Sequence, residues 1–305
     1  MRTMSGLIFY KEAIKMSEVK KPKTYKEQLE ILKERGLNVS DDERAIDFLS
    51  NVNYYNLTGY LVDYKSNNGK YTEGIAFDEI YNIYQCDKRF KNILNYAIEI
   101  VEHSLKTKIS YHFAHEFGAM EYMNPDIFKD EREHEIFVEK FELAVHQNKN
   151  IPFVKHHIEH YNSQFPIWVA CELFTMGTIY NFYSNLPTET QKAVAKDFKT
   201  GPLQLSNWIY CVKYLRNLTA HYMRLYNFAI QVTPKKCRKN FDKSFEPSHK
   251  VFDIVYTLKF LILDKSEWNN YIIPTIKNIF DRYSDYINIS SYGFPANWEK
   301  LLLKD

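Results

Sequence analysis

Arg216 and His221, within the segment RNLTAHYMRLYN (Arg216 to Asn227), are the residues whose types and spacing best suit chemistry. An imidazole, with an ordinary pKa of about 6.5, takes up or releases a proton near neutral pH. Arginine carries a permanent charge in a planar fork that matches the oxygens of a phosphate group. The spacing alone proves little. Nine arginines and ten histidines, with four to six residues allowed between them, give about one match by chance, and this chain has one. On an ideal helix five residues turn through about 500°, so Arg216 and His221 stand about 140° apart, whereas Asn217 and His221 are about 40° apart and share a face. One straight copy is therefore half a site, unless the long arginine side chain wraps back. Two copies face to face would complete it.

Other groupings are weaker. His112 and His115 fall at i, i+3, and His156, His157 and His160 cluster, but no HExxH or paired Cys/His spacing supplies the three or four convergent ligands of zinc. No metal and no cofactor is expected. Neither a glycine-rich phosphate loop nor a GxSxG nucleophile elbow occurs. Glu99 and Glu102 form an i, i+3 pair that reads as solvated charge. The run Lys235, Lys236, Arg238, Lys239, Lys243, with Phe241 inserted, reads first as a solvated loop and second as a place for RNA backbone phosphates.

The elements that must position these residues are helical. The 305 residues hold 24 Tyr and 21 Phe but only 9 Gly and 10 Pro, so turn formers are few and long segments the rule. Forty basic against 38 acidic residues leave a net charge of +2, so any nucleic-acid contact needs locally concentrated positive charge. Cys86, Cys171, Cys211 and Cys237 are scattered, against a disulfide framework. No apolar run reaches spanning length and the N-terminus lacks a leader's apolar core, so no membrane and a cytoplasmic location are expected.

Residues 1–23 read as a flexible lead, 24–75 as a helix-plus-hairpin subdomain and 76–305 as a helical domain. Thr24 to Glu27 is a capping box, and Ser40 to Glu43 repeats the device. Tyr54 to Leu61, followed by the turn Asn67-Asn68-Gly69 and Lys70-Tyr71, suggests a short hairpin. Apolar residues at helical spacing predict one long helix from about Phe77 to Phe117. Further helices are expected near 130–148, 152–161, 167–184, 188–198, 203–227, 248–263 and 267–283. The fold class is all-α.

The motif's surroundings carry a resemblance. Leu215-Arg216-Asn217-x-x-Ala220-His221-x-x-Arg224-Leu225-Tyr226-Asn227 resembles the signature of the abortive-infection AbiD/AbiF-like family, a branch of the HEPN superfamily. So do five blocks before it. They are Pro22-x-Thr24-Tyr25-x-x-Gln28-x-x-x-Leu32-x-x-Arg35-Gly36-Leu37, Tyr54 to Leu61, Ile80-Tyr81-x-x-Tyr84-x-x-Asp87-x-Arg89, Ile98-Glu99-x-x-Glu102, and Phe165-Pro166-Ile167-Trp168-Val169-x-x-Glu172. The chain departs at Tyr222, where many members have a second histidine, at Thr219 in place of a common cysteine, and at Phe228, where arginine often stands.

The resemblance implies a HEPN-like bundle and a phage-defence endoribonuclease that works without metal, leaving a 2′,3′-cyclic phosphate and a 5′-hydroxyl. It implies Arg216, Asn217 and His221 as catalytic residues, with Arg224, Asn227, Tyr222 and Glu172 supporting. It further implies a symmetric homodimer with a composite site, and a structured non-coding RNA that can restrain the toxin. The competing reading is a non-catalytic module for RNA or a protein partner. There, Arg216 pairs with Glu172 or Glu102 and His221 is a buried structural histidine.

Overall fold

A computed structural model describes residues 21–236, 241–242 and 245–304. Among them the regular elements are helical, with no strand beyond two isolated bridges. The helices are α1 (Tyr25–Glu34), α2 (Asp42–Asn51), α3 (Tyr54–Tyr60), α4 (Phe77–Phe117), α5 (Glu131–Gln147), α6 (Pro152–His160), α7 (Ile167–Ala170), α8 (Met176–Asn185), α9 (Thr188–Asp197), α10 (Pro202–Ala220), α11 (Val251–Leu261), α12 (Lys265–Glu267), α13 (Ile273–Arg282) and α14 (Trp298–Leu302). A π-helical turn, Trp268–Ile272, joins α12 to α13.

The axis of the molecule is α4, a 41-residue helix with the bounds its periodicity predicts. Ile80, Ile83, Cys86, Phe90, Leu94, Ala97, Val101, Leu105, Ile109 and Phe113 recur every three or four residues and are all buried. Gly118, at φ +110°, ends the helix and returns its N–H to the Ala114 carbonyl at 3.0 Å. Around this axis pack α3, α7, α8, α9, α10, α11 and α13. The abundance of aromatic residues finds its place here: Phe90 alone meets Phe280, Tyr292 and Phe294 at centroid distances of 5.2, 5.1 and 5.8 Å.

Three expectations change. Tyr54–Tyr60 is a helix rather than a hairpin strand. Asn53 caps it by accepting the Tyr55 N–H at 2.9 Å, a start signal hidden inside an aromatic run. The turn at Asn67–Gly69 does form, with Gly69 at φ +84°, but only Lys65 and Tyr71 bridge across it. The segment 167–184 is two helices, because the chain extends at Phe174 and Thr175 caps α8 through the Thr178 N–H. And α10 stops at Ala220, seven residues short of the expected end.

Candidate functional site at the end of α10

The ending of α10 decides the site. Pro202 starts the helix, and Leu205, Trp208, Ile209, Val212, Leu215 and Leu218 bury one side of it against α4, α8 and α11. At the other end the Tyr222 N–H bonds the Thr219 carbonyl (3.2 Å) and the Met223 N–H bonds the Leu218 carbonyl (2.9 Å). This paired pattern closes a helix when the residue after its cap is left-handed. That residue is Tyr222, at φ +56°, where glycine is usual. With no glycine to mark the stop, periodicity ran on to Asn227.

His221 is therefore the cap residue, its own N–H still bonded to the Asn217 carbonyl at 3.0 Å. Arg216, Asn217, His221 and Tyr222 are all exposed. Among the described residues, the side chains of Arg216 and His221 make no hydrogen bond or ion pair. The structural pairing of Arg216 with Glu172 or Glu102 is not formed, and His221 is not buried.

The chain just past the site is held hard. Asp87 of α4 is fully buried and accepts the N–H groups of Leu225 (3.1 Å) and Tyr226 (3.2 Å) and the hydroxyl of Tyr60 (2.6 Å). Lys91, 3.3 Å from the Asp87 carboxylate, also donates to the Met223 carbonyl (3.2 Å). Burial, reinforced by the adjacent Asp87 carboxylate, pushes the Tyr60 hydroxyl far above its usual range, so it stays a neutral donor. Arg224 pairs with Asp63 at 2.8 Å. Asn227, at φ +48°, accepts from Lys250 Nζ at 2.9 Å and donates its N–H to the Ser291 carbonyl at 3.0 Å. Arg224 and Asn227 thus fasten the loop to the rest of the fold.

Arg216 also lines a cleft of about 310 Å³ between α10 and α4, opposite Glu99, Glu102 and His103. Asn217 and His221 do not line it, in keeping with their different face. At its edge the Thr219 hydroxyl lies 2.5 Å from Asn95 Oδ1 and 2.9 Å from the Arg216 carbonyl, tying the two helices. Glu102 pairs with Lys106 (3.1 Å), which also donates to the Glu172 carbonyl (3.3 Å). Glu172 itself is exposed and outside the cleft. His103 was missed in sequence because no motif contains it; its spacing of i+4 from Glu99 was the available signal.

The basic run contributes elsewhere. The Lys235 N–H bonds Asn207 Oδ1 (2.6 Å), and Lys236 pairs with Glu246 (3.1 Å). Arg238, Lys239 and Lys243 lie outside the described residues, as does most of the expected lead. His112 meets Asp197 at 3.1 Å and His157 bonds the Phe153 carbonyl at 2.8 Å. Among the described residues no group of His, Cys, Asp and Glu could hold a metal, and no helix is long and apolar enough to cross a membrane.

The family model for Abi-like proteins matches residues 47–227, more than half of the chain. The chain belongs to the Abi-like protein family. The Abi-like segment runs from α2 through α4 to the last residue of the motif loop, and so holds Asp87, the Arg216 cleft and His221 together. The likeness at Pro22–Leu37 lies outside it. No curated protein and no solved structure matches the chain.

Proposed function

We propose that this Abi-like protein is a cytoplasmic RNA-cleaving effector of phage defence, of the HEPN type, acting through Arg216, Asn217 and His221. One observation carries the reading. A guanidinium and an imidazole stand exposed on one helix end, without a partner among the described residues, while the backbone directly behind them is pinned by a fully buried carboxylate. Fixed scaffolding with free chemical groups is the arrangement a preorganised site needs. Neither side chain is spent on a structural pair or in the core, so both are free to meet a ligand.

The reaction is transesterification. An imidazole takes the 2′-hydroxyl proton as that oxygen bonds to phosphorus; the bond from phosphorus to the 5′-oxygen breaks, and a second imidazole returns a proton to the leaving oxygen. Arg216 neutralises charge on the phosphorane. Two proton-transfer groups are needed, and the motif supplies one imidazole. A homodimer that brings two His221 side chains near its two-fold axis provides both. A structured non-coding RNA, retained on the protein, keeps the toxin restrained.

The test compares wild type with Arg216→Ala and His221→Ala for growth arrest and for RNA integrity in vitro. Each variant should lose cleavage by about a hundredfold or more, with wild-type cleavage persisting in chelator. Equal behaviour of all three proteins rejects the assignment. A discrete small RNA copurifying with the protein supports restraint, and nucleic-acid-free protein counts against it.

A further inference from the structure

The near-neutral chain leaves open where positive charge collects, and one place is apart from the basic run. A cleft of about 780 Å³ lies between α1 and the junction of α2 with α3. Its walls carry three cations, Lys21, Lys23 and Arg35, and three tyrosines, Tyr25, Tyr54 and Tyr55. Among the described residues no Asp or Glu lines it. The cleft beside Arg216 is the opposite, with two carboxylates facing one arginine.

The side chains are only partly committed. Lys23 pairs with Glu27 at 3.1 Å, both half exposed, and Arg35 donates to the Tyr54 hydroxyl at 3.2 Å. Tyr55 is 73% exposed and Tyr25 48%, so both rings are open to a ligand from solvent. Tyr54 and Tyr55 meet nearly edge to face, at 5.8 Å and 87°, so the two rings are not stacked on each other.

Aromatic faces accept a base by stacking, cations accept the phosphates beside it, and a wall free of carboxylates repels neither. A paired base shows no free face, so the matching ligand is an unpaired nucleotide. We infer that this cleft binds an unpaired nucleotide of a single-stranded RNA segment, through Tyr25 and Tyr55 with Lys21 and Arg35. The inference rests on the reading that the protein acts on RNA, and adds a second contact point remote in sequence from the motif. The route between them is short. Helix α3 begins in the cleft with Tyr54 and Tyr55 and ends at Tyr60, the residue bonded to Asp87. Seven residues of helix span about 9 Å.

The experiment measures fluorescence anisotropy of a labelled, unstructured twelve-nucleotide RNA (about 12, chosen to exceed one binding site) with the full chain carrying His221→Ala, so that the probe stays intact. Adding Tyr25→Ala and Tyr55→Ala together should weaken binding about tenfold or more. Adding Lys21→Glu should make the dependence of log affinity on log salt shallower by about 0.7. Both tyrosines are exposed, and an unchanged circular dichroism melt verifies the fold. Variants binding within about twofold of their parent, or a duplex of the same sequence competing as well as the single strand, overturn the inference. If Arg216→Ala and His221→Ala abolish cleavage while the cleft variants bind normally, the cleft assignment alone fails. If the parent binds no RNA and wild type cuts none, both fail.

Discussion

Tyr222 is an expensive residue in its place. A left-handed backbone costs an L-residue about 1 kcal/mol relative to glycine, and the 73% exposed ring returns little by burial. Tyr222→Gly should therefore hold or raise stability, by up to about 1 kcal/mol in urea unfolding. If the ring serves the RNA site beside His221, the same variant loses cleavage or RNA affinity; a loss of stability without loss of activity would place its role in packing. Asp87 is the converse case, silent in chemistry and costly to remove. Asp87→Ala leaves the Lys91 ammonium buried without its counter-charge and two loop amides without their acceptor, and should cost about 3–5 kcal/mol, read as a lower urea midpoint.

At the scale of elements, α4 was legible because its burial repeats every three or four residues for 41 residues without a breaker. The ends of α3 and α10 were not. Asn53 sits in an aromatic run that also fits a strand, and Tyr222 gives no glycine signal at the end of α10. Burial in α3 resolves the first: Leu57 and Tyr60, three apart, both face the core. The bond between α3 and the motif loop is measurable. Tyr60→Phe removes one donor to a buried carboxylate and should cost about 1.5–3 kcal/mol. It should also lower cleavage without altering Arg216 or His221. Wild-type cleavage in a destabilised Tyr60→Phe would show that the loop keeps its position without this bond.

For the whole molecule, the outer side of α10 is exposed at several positions among the described residues. Leu203, Tyr210, Asn217 and His221 are exposed along it, with Asn207 and Tyr214 half-buried between them, in alternating steps of four and three. Lys213 lies over the rings of Tyr180 and Tyr210 at 4.4 and 4.8 Å; burial, together with nearby Lys140, lowers its pKa. In the proposed homodimer a second copy would meet the first along this side, motif to motif. Tyr210→Glu should convert a dimer to a monomer in sedimentation velocity and abolish cleavage with the motif intact. A monomeric wild type that cleaves RNA at full rate would sink the composite site.

Residue order by itself determined the all-α class, the long axial helix and the Abi-like character. These follow from local periodicity and from blocks of residues that keep their order along the chain. It also marked Arg216, Asn217 and His221. Only the tertiary structure decided what surrounds them, because that depends on contacts between residues far apart in sequence. Asp87 reaches Leu225 and Tyr226 across 138 and 139 positions, and Thr219 reaches Asn95 across 124. The cationic cleft, likewise, forms from two stretches that look unremarkable apart: Lys21 to Arg35, and Leu49 to Tyr55. Charge and aromatic surface become a site when folding brings them to one wall, and no pattern along a single stretch records that.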